Sequence, residues 1–235
     1  MTNVENRTIA VIPTFNESQN ILILIDELIS IGIHVLVVDD NSPDGTFGLV
    51  EKHIEYNNKL FGIKREKNKS YAKAVIEGFD FALKNHYSKI IQMDSDLSHR
   101  KEDLILMLKN NETNLVIGSR YVKGGKIIGW KTHRRILSKY SNKIAKRVLK
   151  TNLNDLTSGF RIYDGEVLRD IDFRSIKSNG YAFLVEILSL VINNHNSVSE
   201  FPISFVDRTN GKSKMSTKII FESAINLLKL YKKNR

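Results

Sequence analysis

The sequence predicts an α/β domain with a mostly parallel central sheet and helices on both faces. Three observations predict it. Short apolar runs alternate with helical patterns through the first half of the 235 residues, which argues for parallel strands with covered faces. Several of those runs stop at acidic or turn-forming residues, where open α/β sheets place their ligand sites. No repeat, low-complexity tract or clean linker interrupts the chain, so residues 1–235 are expected to form one continuous domain.

The elements follow in order. Thr8–Ile12 is an apolar strand. Glu17–Ser30 has helical apolar spacing, with Asn16 placed to cap it. His34–Val38 is a strand that stops at Asp39-Asp40. Ser42-Pro43-Asp44-Gly45 is a turn, and a helix follows to about Tyr56. Leu60–Lys64 is a weaker strand, and Tyr71–Lys84 a helix with Ala74, Gly78 and Ala82 on one side. Ile90–Met93 is the fourth strand, Glu102–Lys109 a short helix, and Leu115–Gly118 the fifth strand. The pattern then changes. Lys123–Lys126 is a flexible loop, and Arg134–Lys150 is a helix with Ile136, Leu137, Tyr140, Ile144 and Val148 on one face. Asp155–Phe160 is a turn, Tyr181–Ile192 an apolar helix, Glu200–Phe205 a short strand, Asn210–Lys214 a loop and Lys218–Tyr231 an amphipathic helix.

Composition excludes several classes. Apolar content is 41% and charged content 26%, as in an ordinary globular protein. With no cysteine there is no disulfide scaffold, zinc-thiolate site or cysteine nucleophile. The polar start, Met1–Thr8, does not read as a secretory leader, and no apolar run approaches the ~20 residues that span a bilayer. A cytoplasmic location is expected. The net charge of +10 is uneven: residues 113–154 hold eleven Lys and Arg and no Asp or Glu. Such a field favours polyanions or anionic head groups. A solvated basic face and a nucleic-acid partner are the alternatives.

The chemistry concentrates at strand ends. Asp94-Ser95-Asp96 presents two carboxylates two residues apart, the hard oxygen ligands that Mg²⁺ and Mn²⁺ take alongside substrate phosphates and water. Taken alone, this motif reads equally as a turn and helix cap. Pro13–Glu17 and Val37–Ser42 follow the first two strands and share the same edge. Clustered carboxylates repel unless a cation or ligand compensates. Arg120 ends the fifth strand, Arg134 and Ser138 lie one helical turn apart, and Arg208 to Lys214 adds a cationic segment. Arginine binds phosphate bidentately. A metal site beside several arginines suggests a diphosphate leaving group and a second anionic substrate. There is no Walker loop, dinucleotide fingerprint or Ser-His-Asp spacing. His99 stands near the acidic motif, with metal, phosphate and capping roles all open.

These strings resemble the family 2 inverting glycosyltransferases, and within them the polyprenol-phosphate (dolichol-phosphate) mannose synthases. The resemblance rests on Ile12–Glu17, Asp39–Thr46, Met93–His99 and Gly118–Tyr121. It extends to Gly129-Trp130, Arg134, Ser138, Asn142, Asp155–Arg161, Gly180–Phe183 with Glu186, and Pro202–Arg208 followed by Gly211 and Ser213-Lys214. It implies a GT-A (Rossmann-like) fold, GDP-mannose as donor, Mg²⁺ or Mn²⁺ as cofactor and a polyprenyl phosphate as acceptor. By the family pattern Pro13, Phe15, Glu17, Val38 and Asp40 would hold the nucleoside, and Asp94 and Asp96 the metal and diphosphate. Arg120, Arg134, Ser138, Arg208 and Lys214 would gather the phosphates, and Asp96, Arg120 and Arg134 would be the catalytic set. Residues 1–119 would then form the nucleotide-sugar half and 120–235 the acceptor half. Ser70 and Ala72 stand where the family often has glycines. Many relatives also carry C-terminal membrane helices; this chain, which ends at Lys232–Arg235, is expected to meet the membrane at its cytoplasmic surface, alone or through an anchoring partner. A family 2 transferase with another donor, such as UDP-glucose, is the nearest rival. A nucleic-acid-binding domain leaves the acidic strand ends unexplained.

Overall fold

The computed structural model describes residues 7–110 and 112–208. The loop expected at 210–214, with Lys214, and the helix expected at 218–231 lie outside the described residues.

A seven-stranded sheet in the order β3-β2-β1-β4-β7-β5-β8 forms the centre. Its strands are β1 (Thr8–Thr14), β2 (His34–Asp39), β3 (Leu60–Lys64), β4 (Lys89–Gln92), β5 (Leu115–Ser119), β7 (Arg161–Asp164) and β8 (Val198–Pro202). The pairs β1–β2, β1–β4, β2–β3 and β5–β8 are parallel. Strand β7 is antiparallel to both β4 and β5. The ends of β1, β2, β4 and β5 therefore share one edge, and the start of β7 reaches it from the opposite direction. Outside this sheet, β6 (Lys126–Ile128) and β9 (Ser204–Val206) pair as a small parallel ribbon.

Alternation along the strands divides the core into two layers. Ile9, Val11, Leu36 and Val38 face α3 (Tyr71–Lys84), α6 (Gly165–Asp170) and α7 (Gly180–Asn193). Ala10, Ile12, Val35 and Val37 face α1 (Ile21–Ser30), α2 (Thr46–Glu51) and α4 (Lys101–Lys109). The remaining helix, α5 (Thr132–Leu149), reaches the first layer through Ala145. Gly78 lets α3 lie close on β1: a Cβ there would stand 2.2 Å from Val11 Cγ1.

The structure changes several expected elements. Helix α1 begins at Ile21, because Asn20 and Ile21 donate backbone hydrogen bonds to the Glu17 carbonyl in a preceding turn. Asn16 sits at φ 57°, in the left-handed region, and does not cap the helix. Helix α2 stops at Glu51; a turn at His53–Tyr56 and further bonds to the Glu55 carbonyl take up the backbone groups that would have continued it. The segment expected as one strand at 200–205 is two, β8 and β9, which join different sheets. Strand β7, from the second half of the chain, inserts between β4 and β5.

Candidate active site

The C-terminal edge of the sheet opens into a cleft of about 470 Å³. Pro13 and Glu17 reach it from the end of β1, Lys69–Tyr71 from the start of α3, and Asp94–Asp96 and His99 from the loop after β4. Arg120, Trp130, Arg134, Thr157–Gly159, Asn179–Tyr181, Phe205 and Arg208 supply the rest of the polar and aromatic wall.

The acidic loop is shaped by its neighbours. His99 lies flat on Phe160, with ring centroids 4.6 Å apart and planes at 7°. Its Nδ1 accepts the Asp94 backbone N–H at 3.2 Å, and its Nε2 is 3.9 Å from Asp94 Oδ2. Burial pushes His99 down to about 4, so the ring is neutral near pH 7 and braces the loop. The Asp94 side chain is 39% exposed, through the cleft. The surrounding protein still desolvates its charge, and with repulsion from Asp96 pushes Asp94 up to about 7. Asp96 is buried and accepts the Ser98 N–H at 3.2 Å on Oδ1. Its Oδ2 meets Arg208 Nη2 at 2.8 Å.

The two carboxylates sit at one strand end, and repulsion from Asp96 adds to the desolvation that raises Asp94. They fit a divalent cation that takes two protein oxygens and fills its other positions with phosphate and water. No cluster of three or more His, Cys, Asp or Glu suited to a metal occurs among the described residues. Two carboxylates would suit Mg²⁺ or Mn²⁺ alongside further oxygen donors such as phosphate and water.

The arginines are held by internal partners. Arg120 forms a bidentate pair with buried Asp155, Nε and Nη2 each at 2.7 Å, and Nη2 also donates to Thr157 Oγ1 at 3.1 Å. Burial opposes the charge on Asp155, but Arg120 outweighs it and holds the carboxyl below its ordinary range. Asn142 ties the same turn: its Oδ1 accepts the N–H groups of Leu156 and Thr157 at 2.8 and 3.2 Å. Arg161, fully buried on β7, donates to the carbonyls of Leu156, Ser158 and Leu184. Arg134 stacks 4.1 Å over the Trp130 ring and pairs with Asp207 at 2.8 Å.

The nucleoside residues divide. Pro13 and Glu17 line the cleft, whereas Phe15, Val38 and Asp40 do not. Val38 is buried in the core layer. Asp40 forms an ion pair with Arg65, which also donates to Glu77 and to the Asn68 carbonyl; this fastens the chain before α3 to the end of β2. Asp39 accepts hydrogen bonds from Thr14 and Ser42, joining the ends of β1 and β2. Ser138 accepts the Tyr121 hydroxyl at 2.8 Å and lies outside the cleft lining. The sequence reading gave no role to Tyr71, Asp155, Thr157, Asn179 or Asp207. Asp155 and Thr157 lie in the Asp155–Arg161 string and Asp207 in Pro202–Arg208, and neither string carries a sign of its partner far along the chain. Where the family often has glycine, Ser70 caps α3 by accepting the Lys73 N–H at 3.3 Å, and Ala72 is buried.

A mostly parallel sheet with an acidic strand end and an arginine-lined cleft on its C-terminal edge defines a GT-A glycosyltransferase domain. The fold matches glucosyl-3-phosphoglycerate synthase from Mycobacterium tuberculosis. The complex with Mn²⁺, UDP-glucose and phosphoglyceric acid gives a TM-score of 0.64 at 16% identity, over 96% of this chain and 80% of that one. The complex with Mn²⁺, UDP and phosphoglyceric acid gives 0.67 at 14% identity, over 96% and 78%. The Glycosyl transferase family 2 model matches residues 9–172, and the chain belongs to that family. It is 37% identical over 222 residues to the polyprenol monophosphomannose synthase of Mycolicibacterium smegmatis, covering 92% of this chain and 84% of that protein. It is 36% identical over 224 residues to the undecaprenyl-phosphate mannosyltransferase of Micrococcus luteus, covering 94% and 92%.

Proposed function

We propose that this enzyme transfers mannose from GDP-mannose to a polyprenyl monophosphate, with inversion at the sugar carbon and with Mg²⁺ or Mn²⁺ bound. The observation that carries the reading is one cleft lined by two adjacent carboxylates, Asp94 and Asp96, and by three arginines, Arg120, Arg134 and Arg208. The names of the two curated relatives support the acceptor and the sugar. Their likeness to this chain extends over more than nine-tenths of its length.

A phosphate monoester has a second pKa of about 6, so the acceptor arrives largely ionised and needs no protein base. Its oxygen attacks the sugar C1 as the bond from C1 to the diphosphate breaks. One displacement converts an α-linked donor into a β-linked product. The residues then align and neutralise. Asp94 and Asp96 would hold the cation, whose charge supports the departing diphosphate. Arg134, stacked on Trp130, holds the acceptor phosphate in line, with Arg120 as a fixed positive charge beside it. Arg208 exchanges Asp96 for a phosphate oxygen once the carboxylate is otherwise compensated. Ser138, outside the cleft lining, would act through the Tyr121 hydroxyl it holds, and Lys214 would complete the acceptor set. Pro13 and Glu17, which line the cleft, would serve the nucleoside end directly, and Phe15, Val38 and Asp40 through the shape of the strand ends around them, so that residues 1–119 act mainly on the donor and 120–235 on the acceptor. The enzyme works at the cytoplasmic face of a membrane as a peripheral protein, alone or with an anchoring partner. No helix of the described residues is long and apolar enough to cross a membrane.

A donor panel tests the proposal. The protein is incubated with Mg²⁺, polyprenyl phosphate in detergent and radiolabelled GDP-mannose, UDP-glucose or GDP-glucose. Label from GDP-mannose alone should enter the lipid extract. Label from UDP-glucose in its place would select the other donor.

A further inference from the structure

A buried chain of hydrogen bonds runs from β7 through β4 and ends at the cleft on Tyr71. Gln92, the last residue of β4, is fully buried. Its Oε1 accepts the Tyr163 hydroxyl at 3.1 Å, and its Nε2 donates to the Tyr71 hydroxyl at 2.9 Å. The orientation of this amide is fixed from behind. The Tyr163 oxygen accepts Arg161 Nη1 at 3.3 Å, and a guanidinium can only donate. The Tyr163 proton therefore goes to Gln92 Oε1, which turns Nε2 toward Tyr71. The amide nitrogen cannot accept, so the Tyr71 proton points away from Gln92. Among the described residues no hydrogen bond takes that proton. Tyr71 lines the cleft, and the proton is offered there.

The surroundings hold Tyr71 in place. It opens α3 directly after the capping residue Ser70. Its ring meets Phe183 edge-on, with centroids 6.2 Å apart and planes at 81°. The next backbone N–H, that of Ala72, donates to Asn179 Oδ1 at 3.3 Å and ties this turn to the start of α7.

Opposite the hydroxyl, a glycine keeps a gap open. Gly159 does not have a left-handed φ, so its backbone does not demand glycine. A Cβ there would stand 2.9 Å from the Tyr71 hydroxyl oxygen and 3.4 and 3.7 Å from the two carboxylate oxygens of Asp94. The bare Cα thus leaves a niche with a hydroxyl donor on one side and a carboxylate acceptor on the other, and all three residues line the cleft. A group that both accepts and donates satisfies the two walls, and a sugar hydroxyl is such a group. A phosphate oxygen could take the Tyr71 proton but would bring its own charge against Asp94. An apolar group would leave both walls unpaired. A carboxylate has about four lone-pair sites, so Asp94 can hold a cation and still accept one hydroxyl.

We propose that Tyr71 is a specificity-determining residue: its hydroxyl donates to one hydroxyl of the donor's sugar, in the niche that Gly159 keeps open beside Asp94. The inference deepens the proposed function and rests on it for the identity of the donor.

The test pairs Tyr71→Phe with donors that lack one sugar hydroxyl. Phe keeps the ring that packs on Phe183, and urea unfolding checks that the variant is folded. Wild type and variant are compared on GDP-mannose and on its 2-, 3-, 4- and 6-deoxy forms, and the ratio of the two enzymes cancels the intrinsic reactivity of each donor. On GDP-mannose the variant should lose about three- to tenfold in kcat/KM, as for one neutral hydrogen bond. On one deoxy donor that gap should vanish, and on the other three it should persist. Inhibition by GDP should be unchanged. Gly159→Ala, which fills the niche, should raise the KM for GDP-mannose and likewise leave inhibition by GDP unchanged. Wild-type transfer from the parent donor reports on the proposed function separately; where another nucleotide sugar is the donor, the deoxy series is built on that sugar. A gap that persists on all four deoxy donors would overturn the inference. So would wild-type kinetics for Tyr71→Phe, or weaker inhibition of that variant by GDP, which would assign the hydroxyl to the nucleotide.

Discussion

Removing the Asp155 carboxylate tests whether the arginine beside the cleft is held by the fold or by its substrates. Asp155 is fully buried and accepts from Arg120 Nε, from Nη2 and from the Arg120 backbone N–H at 2.9 Å. Asp155→Ala leaves the Arg120 guanidinium, itself only 6% exposed, without its counter-charge. Breaking a buried pair by deleting one partner costs about 3–5 kcal/mol. The stranded backbone N–H adds about 1 kcal/mol. Against a total stability of roughly 5–15 kcal/mol, the variant should lose about a quarter or more of its stability. Asp155→Asn, with the same shape and fewer acceptors, should fall between the two. Urea unfolding followed by tryptophan fluorescence measures this, since Trp130 is the single tryptophan and lies 5.2 Å from the Arg120 guanidinium. The pair also has a pH signature. A carboxyl whose folded pKa lies below its unfolded value near 4 contributes stability at higher pH and loses it as pH falls through the folded value. The gap between wild type and Asp155→Asn should therefore be constant above about pH 5 and shrink below about pH 4. A loss under 1 kcal/mol, or a gap that widens in acid, would refute the reasoning.

Other outcomes follow from the same geometry. Arg134→Lys keeps the charge and loses the planar fork, so kcat/KM for the lipid acceptor should fall about 10- to 100-fold, the equivalent of one charged hydrogen bond, while GDP affinity stays near wild type. Asp96→Asn should abolish the binding of Mn²⁺ in the presence of GDP, measured by electron paramagnetic resonance, and reduce transfer to near background; full transfer in excess chelator would contradict the metal role. Gly78→Ala forces a methyl to within 2.2 Å of Val11 Cγ1 and should cost about 1–3 kcal/mol in urea unfolding, without changing KM for either substrate.

The parallel half of the fold was legible because its elements carry strong periods. Helix α3 spans Tyr71–Lys84 as the spacing indicates, and β3 spans Leu60–Lys64. Short elements gave no period to read. Strand β7 has four residues and α6 six, between Phe160 and Ile171, and each ribbon strand has three. Only tertiary pairing makes β7 and the two ribbon segments strands. At the site, the residue types were legible and their partners were not. Arg120 stood out at a strand end, but its pairing with Asp155 crosses 35 residues, and the contact from Arg208 to Asp96 crosses more than a hundred. The apolar face of α5 shows the same limit. The sequence displayed the apolar face, and only the packing separates Val148, which is buried, from Ile136 and Tyr140, which are not.

The central claim is a single displacement by an acceptor phosphate oxygen that needs no protein base. The most direct measurement is the anomeric configuration of the lipid product, by ¹³C–¹H coupling at the sugar C1, together with the pH profile of single-turnover transfer from GDP-mannose. A β-linked mannosyl phosphate formed at a rate that levels off above about pH 7, where the acceptor is ionised, is the expected result. An α-linked product, or free mannose released to water in its place, would contradict the account.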